Sequence, residues 1–189
     1  EAMELVGDAD LALFKAKNSG RGQLFMFIPE LRAEALARRR YGLELHRAVD
    51  EGEFLLFYQP QIQLDTGVVS GAEALLRWRH PQRGMIRPDA FIGMAEETGH
   101  IRPLTDWVID RAISDQRIFQ KAGHDVAVSV NVSGKLIANE QFAERALRQV
   151  RRSGARLCFE ITETAVIDNP RLALDVMNEL KQAGVGISI

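Results

Sequence analysis

Cysteine is almost absent: Cys158 is the only one in 189 residues. No internal disulfide can form, and a reducing cytoplasm is the expected setting. Neither sign of charge is in excess, since 24 Lys and Arg face 26 Asp and Glu for a net −2 at pH 7. No global basic field is therefore available to hold a DNA or RNA polymer, and a small anionic ligand needs charge gathered at one place. Long apolar runs are missing as well. None approaches the roughly 20 residues of a membrane span, and the opening Glu1-Ala2-Met3-Glu4 does not read as a secretory leader. There is no P-loop, no GxGxxG, no Ser/His/Asp pattern, no internal repeat and no pair of histidines at ligand spacing. His80 and His100 are expected in loops, and His46 and His124 in solvent. Cys158 has no cation or helix start close in sequence to lower its pKa, so it reads as a packed thiol.

What is present is ordinary globular material, 46% hydrophobic and 26% charged. Residues 8–17 predict a helix capped by Asp8, and Gln23–Ile28 a short apolar strand stopped by Pro29. Residues 29–50 predict a charged connector helix with Pro29 at its first position. After Gly52 the rhythm changes. Strands are expected at Phe54–Leu64 and Val68–Trp78, joined by the turn Asp65-Thr66-Gly67. Helices follow near Asp89–Thr98 and Leu104–Ala122, then a strand at Asp125–Val132 and a helix at Glu140–Arg152. Arg156–Thr162 predicts a strand, Pro170–Ala183 a helix and Val185–Ile189 one more strand. Strands alternating with helices argue for βαβ units and a parallel sheet. The first two strands are joined too tightly for a parallel crossover, so that pair is expected to be antiparallel. The pattern is that of an α/β barrel with an antiparallel first strand. About five of the eight strands that need ~250 residues are visible, so the sequence is expected to be a piece of a longer chain.

Side chains alternate faces along a strand. Glu73, Leu75 and Arg77 therefore share one face of the second strand, Ser129 and Asn131 one face of the third, and Cys158 and Glu160 one face of the fourth. Glu73, Asn131 and Glu160 are each expected near a C-terminal strand end, and in a parallel barrel those ends converge on one rim. Burying carboxylates without partners is costly. Two carboxylates and an amide oxygen converging on one point suggest a hard cation, Mg²⁺ or Mn²⁺ rather than zinc or copper. Each residue also has an ordinary structural use. Glu73 could pair with Arg77 or Arg79, Asn131 could bond loop backbone, and Glu160 could bridge to Arg156.

The string Glu73-Ala74-Leu75-Leu76-Arg77-Trp78 resembles the signature of EAL-domain cyclic di-GMP phosphodiesterases. Tyr58-Gln59-Pro60, Arg87–Ile92, Ala95–Gly99, Asn131-Val132-Ser133 and Glu160–Glu163 match the family in order and spacing, from about residue 40 onward. A second Glu-Ala-Leu string, at 34–36, lies on the connector helix and is a product of helix propensity. The resemblance implies a TIM-like (β/α)₈ barrel that hydrolyses cyclic di-GMP to linear pGpG. It also implies that Glu73, Asn131 and Glu160 hold metal, with two Mg²⁺ or Mn²⁺ ions in the complete site. Glu73 and Glu163 would serve catalysis, Glu163 by steadying a catalytic loop. Gln59, Leu75, Arg77, Pro88 and Phe91 would contact the dinucleotide.

The family's paired-aspartate motif, a later lysine, a catalytic loop with its glutamate and a late glutamine lie beyond residue 189, so this stretch alone is expected to be inactive. Residues 8–27 resemble the end of a GGDEF domain. The expected organisation is a GGDEF-like remnant over 1–28, a connector over 29–50 and the first part of an EAL domain over 51–189. A homodimer in the cytoplasm is expected, partnered by GGDEF and sensory domains of the same parent chain, which could be anchored to a membrane through other segments. The alternative function is a non-catalytic cyclic di-GMP receptor or scaffold.

Overall fold

The computed structural model describes residues 2–20, 22–137, 139–161 and 170–188. They fall into two compact units, Glu1–Leu45 and His46–Ile189.

The first unit holds helix α1 (Ala2–Asn18) and most of helix α2 (Pro29–Asp50). Pro29 sits at the start of α2, where a missing N–H costs nothing. Asp8 lies inside α1 rather than capping it, because the helix begins six residues earlier. Its carboxylate accepts from Arg32 Nη2 at 2.6 Å, and Glu4 accepts from Arg32 Nη1 at 3.2 Å. Glu34 of the second Glu-Ala-Leu string pairs with Lys15 at 3.2 Å. Residues 23–28 form no strand. An extended segment becomes a strand only when a ladder partner satisfies its backbone. None lies beside it among the described residues, and Leu24 and Met26 point into solvent.

The second unit carries a six-stranded sheet of β1 (Phe54–Ile62), β2 (Val69–His80), β3 (Gly84–Ile86), β4 (Ala127–Val132), β5 (Leu157–Ile161) and β6 (Gly186–Ser188). The order is β1-β2-β4-β5-β6, with β3 pairing on the far end of β2. As expected, β1 runs antiparallel to β2, while β2-β4, β4-β5 and β5-β6 are parallel. Gly67 closes the β1–β2 hairpin at φ 69°, a conformation that penalises any Cβ. The hairpin is tied by Gln63 N–H to Val68 O at 2.9 Å. The β3 strand was not legible in the sequence, being three residues folded back on the end of β2 by the turn at 81–83.

The described residues of this unit also hold helices α3 (Ile92–Glu97), α4 (Ile101–Lys121), α5 (Gly134–Ile137), α6 (Glu140–Ser153) and α7 (Pro170–Gln182), after a 3₁₀ turn at Pro88–Ala90. The region 89–98 is thus a 3₁₀ turn plus a short helix, not one helix. Period-2 patterning decides the sheet's faces. Val128, Val130, Val132, Leu157, Phe159 and Ile161 are buried, whereas Asn131 between them is exposed. An aromatic cluster seals the start of the sheet, with Phe54, Trp78 and Phe91 rings 5.5–5.8 Å apart. Trp78 Nε1 donates to buried Glu53 at 2.8 Å. His80, expected in a loop, ends β2 and is 3% exposed, because its ring packs 5.3 Å from Trp78.

Candidate functional site

Glu73, Asn131 and Glu160 come together on the sheet face opposite the buried valines. Asn131 stands beside Glu160 in the β4–β5 register. Asn131 Nδ2 donates to Glu73 Oε1 at 2.9 Å. Glu73 is mid-strand rather than at the end of β2, because β2 runs on to His80. It is nonetheless at the end of the stretch paired with β4, which stops at Ala74↔Val130. Past that point the strands part, and a cavity of about 450 Å³ opens, lined by Leu75, Pro88, Glu96, Asn131, Ser133 and Glu160 among others.

None of the ordinary pairings forms among the described residues. Arg156 bonds the carbonyl and carboxylate of Asp125, both at 3.1 Å, and not Glu160. Arg77 Nη1 donates to the Leu76 carbonyl at 2.7 Å, and not to Glu73. The two carboxylates instead take amide donors, Asn131 for Glu73 and Gln61 Nε2 for Glu160 at 3.4 Å. Gln61 escaped sequence reasoning, although it shares its strand face with Gln59. Gly71 makes room for it, since a Cβ there would stand 2.7 Å from Gln61 Oε1.

Gln59 lies directly opposite Glu73 in the β1–β2 register. Phe91 is fully buried against Trp78 and Phe54, so it backs the turn carrying Pro88 and is not itself in the cavity wall. Glu163 lies outside the described residues. Burial raises the pKa of the Cys158 thiol, with an opposing hydrogen bond from Ser129 and a further push from Glu160. A thiol shifted that way is no thiolate nucleophile.

Chemically the cluster is an oxygen-only donor set. With Asn131 Nδ2 committed to Glu73, its Oδ1 is the atom left for a cation. Two carboxylates and one amide oxygen fit a hard divalent ion, whose other positions water or a phosphate can fill. Among the described residues no three His, Cys, Asp or Glu side chains gather for a metal, so Asn131 is what completes the trio.

Residues 43–189 match the family model described as the EAL domain. The chain belongs to the EAL domain family. The cyclic di-GMP phosphodiesterase NbdA of Pseudomonas aeruginosa is 35% identical over 190 residues, covering 98% of this chain and 24% of that protein. The cyclic di-GMP phosphodiesterase PdeR of Escherichia coli is 31% identical over 192 residues, covering 100% of this chain and 29% of that protein. The solved structure of the PaMucR phosphodiesterase in complex with c-di-GMP superposes with a TM-score of 0.74 at 33% identity, over 79% of this chain and 62% of that one. The chain thus spans about a quarter of the length of the curated relatives it matches. Its fold is that of the EAL barrel, represented here by six strands.

Proposed function

We propose that the protein containing this EAL domain hydrolyses cyclic di-GMP to linear pGpG with divalent metal. The carrying observation is that Asn131 and Glu160, neighbours in the β4–β5 register, line one cavity and that Glu73 is tied to them by the Asn131–Glu73 hydrogen bond. Relatives named as cyclic di-GMP phosphodiesterases support the substrate.

In this reading Glu73, Asn131 and Glu160 hold Mg²⁺ or Mn²⁺, two ions in the complete site. Bound there, such ions stabilise the charge that grows on the phosphoryl oxygens. Asn131 keeps its amide turned by donating to Glu73, and Gln61 holds Glu160. Arg77 leaves the Leu76 carbonyl to donate to a phosphate, a charge-assisted bond. Gln59, opposite Glu73, and Leu75 and Pro88 in the cavity wall contact the dinucleotide, with Phe91 fixing the wall from behind. Glu163 steadies a catalytic loop. Water adds across one phosphodiester, opening the ring and leaving a 5′-phosphate. Residues 1–28 are the end of a GGDEF-like domain, 29–50 the connector and 51–189 the EAL portion, within a cytoplasmic homodimer.

The test is Glu73→Ala in the full-length protein. Removing a metal ligand should abolish pGpG formation and weaken Mn²⁺ binding while the circular dichroism spectrum stays unchanged. Turnover within about threefold of wild type sinks the assignment, since the lost charge stabilisation is worth several kcal/mol.

A further inference from the structure

We infer that Glu96 is a positioning residue that sets Asn131 through Ser133, an inference resting on the metal-site reading above. Glu96 lies in the last turn of α3 and lines the same cavity as Asn131. Ser133 Oγ donates to Glu96 Oε1 at 2.7 Å, and Lys135 Nζ stands 3.5 Å from Glu96 Oε2. The two donors come from opposite sides of the point where β4 turns into α5. Ser133 directly follows the last residue of β4 and is two residues beyond Asn131, while its carbonyl accepts Leu136 N–H at 2.9 Å to open α5.

Asn131 needs such an anchor. Its side chain is exposed, and its partner Glu73 is a candidate metal ligand itself. Nothing in the core fixes its χ angles, so its direction follows the backbone at 131–133. Glu96 offers a firm reference because α3 is seated by Met94 and Ala95, 3% and 0% exposed. Of the two contacts the serine bond matters more. Lys135 is exposed, and exposed ion pairs contribute little, whereas a hydroxyl–carboxylate bond of this length is charge-assisted.

The experiment uses the full-length protein, with Mn²⁺ affinity read by electron paramagnetic resonance, kcat and KM for cyclic di-GMP, and thermal melting. Glu96→Ala should weaken Mn²⁺ about tenfold, the low end for groups that orient metal ligands, and lower kcat with KM nearly held. Glu96→Gln keeps an acceptor for Ser133 and should stay within about threefold of wild type, because the lost Lys135 ion pair counts for little. Ser133→Ala breaks the same bond by a smaller change, should reproduce Glu96→Ala, and keeps the idea testable if Glu96→Ala melts early. The double variant should be no worse than either single one. Wild-type Mn²⁺ affinity in both alanine variants, or additive losses in the double, overturns the role of Glu96 alone. A wild-type protein that takes up no Mn²⁺ overturns the metal-site reading and this inference with it.

Discussion

Arg77 shares a sheet face with Glu73 yet spends its guanidinium on the carbonyl next to it. A backbone carbonyl is a weak holder for a cation that can instead meet a phosphate. Arg77→Ala should therefore raise the Kd for cyclic di-GMP, measured with Ca²⁺ supplied to hold turnover off. One charge-assisted hydrogen bond at about 1.5–3 kcal/mol corresponds to a roughly ten- to hundredfold change. Unchanged affinity would make Arg77 a structural residue. At this scale the sequence was legible where period 2 governs: Glu73, Asn131 and Glu160 were picked from strand parity, and they do converge. Gln61 and Glu96 were not, because their partners Glu160 and Ser133 lie 99 and 37 residues away. No local pattern reports such a bond.

Among the elements, α4 and α6 meet through a polar ladder stepped every four residues. Arg102 bonds Gln141 at 3.3 Å, Asp106 pairs with Arg145 at 3.3 Å, and Asp110 accepts from Gln149 at 2.7 Å. The middle rung is strained electrostatically. Burial raises the pKa of Asp106, with Arg145 and Arg102 opposing and Asp110 reinforcing, and its Oδ1 lacks a protein partner. A carboxyl whose folded pKa exceeds its unfolded one favours folding most when protonated, and that contribution is lost as pH rises through the folded value. Melting temperature of wild type relative to Asp106→Asn should therefore fall as pH climbs from about 4, the unfolded carboxylate value, toward neutrality. A gap independent of pH, or one that grows in favour of wild type, would contradict this. The faces of β5 were legible because buried Leu157, Phe159 and Ile161 alternate with less buried Cys158 and Glu160, whereas β4 buries Ser129 along with its valines and alternates less cleanly. The apolar run 23–28 misled because strand formation depends on a neighbour that composition cannot reveal.

For the molecule as a whole, the bond from Gln61 on β1 to Glu160 on β5 passes over β2 and β4, so the sheet curls as a barrel wall does. That curl turns residues scattered over a hundred positions into one site, and it is why the antiparallel first strand belongs to the catalytic reading. Family membership and barrel class were legible because the matched motifs follow one another in fixed order and spacing along strands that alternate with helices. The activity of the whole protein is tested most directly by incubating the full-length protein with cyclic di-GMP, with and without Mn²⁺, and following nucleotides by chromatography. The expected result is metal-dependent accumulation of pGpG. Tight binding of intact cyclic di-GMP with no pGpG, in Mn²⁺ and in Mg²⁺ alike, would contradict it and make the protein a receptor.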